Sequence, residues 1–124
     1  MARGRLERLN QVLDELRRDN PGLHACAVVS SDGMPVAARL PEGVDDLKVA
    51  AMAAALQGVA EQAVGELDAR GLRQLVVEGE GARLIVRGIN SDFMLVMVVK
   101  SDSMLGYALW QARRAAKRLS RILG

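Results

Sequence analysis

Residues 44–71 read VDDLKVAAMAAALQGVAEQAVGELDARG, and the fold is decided by what this stretch can be. It holds no proline and is rich in alanine, which predicts a long helix over residues 45–67. Asp45 or Asp46 can cap its start by accepting from free backbone N–H groups, and Gly71 can close the far side. At about 100° per residue, Val49, Met52, Leu56, Val59, Ala60, Ala63 and Leu67 share one broad side, and these larger groups suit a sheet. The opposite side carries Leu47, Ala51, Ala54, Ala55, Gly58, Gln62 and Gly65. Those residues are mostly small and three or four apart, so a second backbone can approach closely there.

A helix apolar nearly all round is buried on more than one side. A chain of 124 residues has few elements left to cover the second face. The expected cover is a second copy of the protein, with the two equivalent helices side by side. The competing reading is a core helix of a monomer, with alanine present for helix propensity alone. A membrane span is not expected, because Lys48, Gln57, Glu61, Gln62 and Glu66 interrupt the run and a bilayer needs about 20 apolar residues.

Composition fits one soluble globular domain: half of the residues are apolar and about a quarter charged. Phe93, Tyr107 and Trp110 are the only aromatic residues, so the core must be aliphatic. The net charge of +2 is too small to argue for nucleic acid. Cys26, the single cysteine, lies in an apolar run and is expected to pack as a small hydrophobe. The start, MARGRLERL, is charged and lacks the apolar segment of a signal peptide. A cytoplasmic location is the expectation.

The rest of the chain supplies strands and two amphipathic helices. Leu6, Leu9, Leu13 and Leu16 give residues 5–18 one apolar face, and Asn20-Pro21-Gly22 stops that helix. Strands are expected at 23–30, 35–39, 73–78, 82–89 and 93–99. Ser31-Asp32-Gly33, Gly79-Glu80-Gly81 and Asn90-Ser91-Asp92 form the tight turns between them. The unbroken apolar runs of the first and fifth strands predict burial on both faces. A last helix starts near Ser103, a plausible cap, with Leu105, Ala108, Leu109, Ala112, Ala116, Leu119 and Leu123 on its apolar arc. The order is α-β-β-α-β-β-β-α, an α+β fold. Hairpin-length links make the five-stranded sheet antiparallel. Two helices lie on one face and the long second helix on the other.

The catalytic inventory is thin. His24, the only histidine, sits at a strand entrance and reads as structural or incidental, since a general base needs a positioned proton to accept. One cysteine and one histidine do not make a zinc site of the usual type. No G-x-x-x-x-G-K-[ST] run occurs, so the chain itself is not expected to bind GTP in that manner. Gly79-Glu80-Gly81 opens no helix and lies among carboxylates, which suits a hairpin turn and not an anion cradle. Asp45 and Asp46 are explained by capping and the helix dipole. No catalytic residue, metal or cofactor is assigned.

On the last helix Trp110 falls among Arg113, Arg114, Lys117 and Arg121, with Tyr107 nearby, away from the apolar arc. Trp and Arg are frequent binding hot spots, and the same pattern suits an anionic lipid surface. The competing reading folds Trp110 onto the first helix and leaves the cations to complement the helix dipole.

Several local words converge on one family. Pro21-Gly22 precedes strand one, Ser31-Asp32-Gly33 forms the first hairpin and Pro35-Val36-Ala37 opens strand two. The alanine-rich second helix, Val76-Val77-Glu78-Gly79 and Leu105-Gly106 follow in order. Over nearly its whole length the chain resembles the roadblock family, also called the dynein light chain roadblock type. Its compact length looks like a bacterial stand-alone member, similar to the gliding-motility GTPase-activating partner. The resemblance implies a homodimer in which the second helices pack together and the third strands pair, which adds Leu75 and Val77 to the dimer-interface candidates. It also implies a binding platform for a Ras-like small GTPase. The family has no catalytic motif to carry over, so any stimulation of GTP hydrolysis would come from holding the GTPase's switch segments; an inserted arginine finger has no nominee here.

Three functions remain open. The first is a non-enzymatic dimeric regulator or scaffold of a small GTPase, with Lys48, Gln62, Glu66, Trp110, Arg114 and Lys117 as candidate partner contacts. The second is a structural adaptor of a larger assembly without a GTPase. The third is a peripheral binder of anionic surfaces through the basic last helix.

Overall fold

The computed structural model describes residues 4–67 and 71–124, so the first three residues of the charged N-terminus lie outside it. The chain runs α1 (Arg5–Asp19), β1 (Leu23–Ser30), β2 (Pro35–Arg39), α2 (Asp46–Glu66), β3 (Gln74–Glu78), β4 (Ala82–Gly88), β5 (Phe93–Lys100) and α3 (Leu105–Leu123). This is the α+β order expected from the sequence. All strand pairs are antiparallel, in the order β2-β1-β5-β4-β3. Two short-linked groups, β1–β2 and β3–β4–β5, therefore meet where β5 pairs with β1, for instance Cys26 opposite Met97. Helix α2 links the β2 edge to the β3 edge, which are opposite ends of the sheet.

Helices α1 and α3 cover one face. Leu9, Val12, Leu13 and Leu16 are the buried stripe of α1. Leu6, expected in that stripe, is exposed, and Val12 takes its place. With Cys26, Val28, Ile85, Leu95, Met97 and Leu119 they form the larger core. The other face has a smaller core of Ala27, Val29, Ala50, Ala53, Val86, Met94 and Val96. β1 and β5 contribute to both cores, which accounts for their unbroken apolar runs.

The ends of the helices follow local chemistry. The Asp45 carboxylate caps α2 by accepting from the Leu47 amide at 3.0 Å. Leu67, not Gly71, closes α2, its amide donating to Gly65 and Val64 carbonyls; Gly71 instead takes a left-handed turn further on. Ser103 is not the cap of α3. Its hydroxyl donates to the Lys100 carbonyl, and Met104 takes the cap position without a side-chain bond.

Candidate functional site: an unpartnered helix face beside an open strand edge

Of the 21 residues in α2, only Ala50 and Ala53 are buried. They belong to the stripe that meets the sheet, with Val49, Ala54, Gln57, Ala60 and Val64 half-buried along it. This corrects the expected sheet side, since Met52, Val59 and Leu67 are 59%, 67% and 79% exposed and Leu56 is exposed as well. The physical reason is closeness. Alanine methyls let the helix backbone settle onto β1, β2 and the tight turn at Gly33, where larger side chains would hold it off. A Cβ added at Gly33, which has φ +91°, would lie 3.6 Å from the Ala51 Cα and 3.8 Å from the Ala54 Cβ.

The side of α2 that points away from the sheet is a ridge of Lys48, Met52, Ala55, Val59, Gln62 and Glu66, all exposed. Of the residues proposed for the copy–copy seam, Leu47, Ala51, Ala55, Gly58, Gln62 and Gly65 are exposed, whereas Ala54 is half-buried beside the Gly33 turn. A Cβ added at Gly58 or Gly65 would meet nothing within 4 Å. Lys48 and Glu66 stand at opposite ends of the ridge, about 27 Å apart along the axis, so within one chain they form no common site.

Beside α2 the sheet itself is uncovered. The helix packs on β1 and β2, leaving the same face of β4 and β3 with Leu84 and Leu75 half-buried and Val77 exposed. β3 is an edge strand, and an edge presents unpaired backbone groups to another chain. Two cavities flank the helix. One, of about 230 Å³, lies near its N-terminal end against Leu40, Pro41, Val44, Val96 and Val98. The other, of about 400 Å³, opens between Gln57, Glu61 and Val64 and the β4–β5 turn at Asn90 and Ser91.

The remaining partner candidates lie on the other face of the sheet. Trp110 stacks on Tyr107 with ring centroids 5.7 Å apart and planes 22° from parallel, and the Arg114 guanidinium sits 4.8 Å from its ring centre. Trp110 lines a cleft with Val12 and Leu16 of α1, yet stays 43% exposed. It therefore partly covers α1 while keeping a free face. The structure thus separates the candidates into two surfaces: Lys48, Gln62 and Glu66 on α2, and Trp110, Arg114 and Lys117 on α3.

The surfaces differ in charge. α2 carries three carboxylates and one lysine, while α3 carries five cations and no carboxylate. Only Arg118 of those five is in an ion pair among the described residues, with Glu15. Arg87 on β4 is held below the usual arginine range, by burial first and then by the charges of Arg113 and Arg73.

Neither α2 nor α3 carries a cysteine or a histidine. Burial pushes the Cys26 thiol up to about 12, and its Sγ lies 3.7 Å from the Leu13 carbonyl oxygen. His24 lies at a register shift between Leu23 and Ala25, is exposed, and lines the cavity near the N-terminal end of α2. Gly79-Glu80-Gly81 is a hairpin turn, closed by the Gly79 amide donating to Ala82. Among the described residues no cluster of His, Cys, Asp and Glu could hold a metal, and no helix is long and apolar enough to cross a membrane.

Comparison with known proteins extends this picture. The family model of the Roadblock/LC7 domain matches residues 9–99. Two uncharacterised proteins of Methanocaldococcus jannaschii are 36% and 34% identical over 112 residues, covering 90% of this chain and 92% and 96% of their own. Among solved structures, the gliding protein MglB of Thermus thermophilus superposes with a TM-score of 0.86 at 21% identity, covering 98% of this chain and 93% of that one. Myxococcus xanthus MglB gives 0.89 at 17%, covering 99% and 92%. A Roadblock/LC7 domain from Streptomyces avermitilis gives 0.85 at 19%, covering 91% and 95%.

Proposed function

The chain belongs to the roadblock/LC7 family, and from that premise we propose that it is a homodimeric, non-enzymatic platform that binds a Ras-like small GTPase and modulates its nucleotide cycle. The observation that carries the reading is the exposed apolar ridge of α2, centred on Met52, Ala55 and Val59, beside the uncovered strip of Leu75, Val77 and Leu84. A soluble chain that leaves such a helix bare gains by covering it. A second α2 lying antiparallel fits the space. Because Lys48 and Glu66 share one side of the helix, a two-fold axis near its middle sets each Lys48 against Glu66 of the partner subunit. The β3 edges then extend one sheet across both copies.

The GTPase half of the reading rests on the family resemblance. The α2 pair would hold the GTPase's switch segments in one arrangement and shift its population between nucleotide states.

The test has two stages. Light scattering should give twice the mass of one chain, and Val59→Arg should return single chains. The wild-type pair should capture a Ras-like GTPase from the same genome in one nucleotide state, GDP or a non-hydrolysable GTP analogue, over the other. A wild-type protein of single mass sinks the dimer. Equal capture in both states removes the regulatory role and leaves the structural adaptor.

A further inference from the structure

We infer that α3 and the cleft it shares with α1 form a second docking surface, on the opposite side of the sheet from α2, that receives an acidic protein segment bearing one apolar side chain. The charge pattern points to an anionic occupant. Arg113, Lys117 and Arg121 are exposed, have no ion-pair partner among the described residues, and share their helix with no carboxylate. Arg87, toward the β3 edge, is also crowded by like charge. A folded chain that gathers cations without counter-charges has unfavourable self-repulsion, which an acidic partner relieves.

The shape selects among anionic occupants. The cleft between α1 and α3 holds about 180 Å³, less than the ~300 Å³ at which small-molecule sites begin, and suits one side chain. Its floor includes Leu16 and Ala115, and Trp110 stacked on Tyr107 forms one wall. Glu15 and Asp19 stand on the α1 side of the same cleft. A lipid headgroup layer or a nucleic-acid backbone is anionic throughout and would press phosphates onto those carboxylates. A peptide avoids this by placing its apolar residue in the cleft and its acidic residues along α3. From Trp110 to Arg121 the helix advances about 17 Å, the length of about five extended residues. This docking surface does not depend on pairing through α2.

Trp110 is the only tryptophan of the chain, so its emission reports this surface directly. The probe is a synthetic peptide of about six residues, all glutamate except one central leucine. Titrated into the full chain, it should shift Trp110 emission to the blue and reduce quenching by acrylamide, saturably and less strongly at high salt. Affinity should fall at least roughly tenfold in a Lys117→Glu, Arg121→Glu variant whose circular dichroism matches wild type. The all-glutamate peptide should bind more weakly than the leucine peptide. The inference is overturned if the leucine peptide leaves Trp110 emission unchanged, or if the charge-reversed variant binds it equally. It is also overturned if phosphatidylserine vesicles or a DNA duplex produce the shift and the peptide does not.

Discussion

The side-chain amide nitrogen of Asn20 donates to the side-chain oxygen of Gln111 across 2.8 Å, between α1 and α3 and away from water, the two residues being 5% and 4% exposed. Gln111 in turn donates to the Leu16 carbonyl at 3.4 Å, and the Asn20 oxygen accepts from the Gly22 amide at 3.0 Å. The pair thus ties the end of α1 to the middle of α3 and satisfies a turn amide as well. Asn20→Leu removes the donor to the Gln111 side-chain oxygen and the acceptor of the Gly22 N–H, and should lower the unfolding free energy by about 1–3 kcal/mol. A double-mutant cycle with Gln111→Leu, read from urea midpoints, should return a coupling of about 0.5–3 kcal/mol; a coupling of zero would mean that the two amides are held independently.

Two ion pairs hold α1 to its neighbours, Glu15 to Arg118 of α3 and Asp14 to Arg39 of β2, and both predict sensitivity to acid. The Arg118 hydrogen bond holds the Glu15 carboxyl below its ordinary 4.5, and the Arg39 hydrogen bond holds Asp14 below 3.8. For a carboxylate whose folded value is depressed, the stabilisation is complete above the unfolded value and is lost as pH falls through the folded one. The urea midpoint should therefore begin to drop as pH passes below about 4.5 and continue to fall below 3.8. Arg118→Gln should flatten the first part of that slope. Parallel curves for variant and wild type between pH 6 and pH 3 would mean that Glu15 takes no part.

Much of the fold was legible because two periodicities rarely conflict in this chain. Val28 and Val96 sit in unbroken apolar runs that only central strands explain, and the turns at Gly33, Gly79 and Asn90 mark the hairpins. The long helix was harder. Its residues are apolar on both sides, and size assigned Met52 and the larger groups to the sheet; close approach at the Gly33 turn favours alanine there instead. The stacking of Tyr107, Trp110 and Arg114 follows helical spacing of three and four and is readable afterwards. The crowding of Arg113 near Arg87 and Arg73 depends on strand register. The Asn20–Gln111 bond joins residues 91 positions apart, and no local pattern marks it.

Cys26 should behave as core and not as a reactive thiol. It is buried against Leu13, and its thiol is pushed up to about 12. The thiolate, the reactive form, is therefore scarce at pH 8. A disulfide reagent at that pH should modify the folded protein only as fast as the structure opens, and the guanidinium-unfolded chain at once. Rapid stoichiometric reaction of the folded protein would show that Cys26 is reached by solvent without unfolding.

Ala53 and Gly58 separate the two sides of α2 by opposite responses to the same substitution. Ala53 is 2% exposed between helix and sheet, so Ala53→Leu overpacks the smaller core and should cost about 1–3 kcal/mol of stability at every protein concentration. A Cβ at Gly58 meets nothing within 4 Å of the single chain, and leucine is a better helix former than glycine by nearly 1 kcal/mol. Gly58→Leu should therefore leave each chain's fold intact by circular dichroism. If a second α2 approaches there, the added side chain blocks it, and the variant should move toward single mass in light scattering at concentrations where wild type is paired. Wild-type mass for Gly58→Leu would remove this glycine from the contact and place the seam on the Met52 and Val59 side of the ridge.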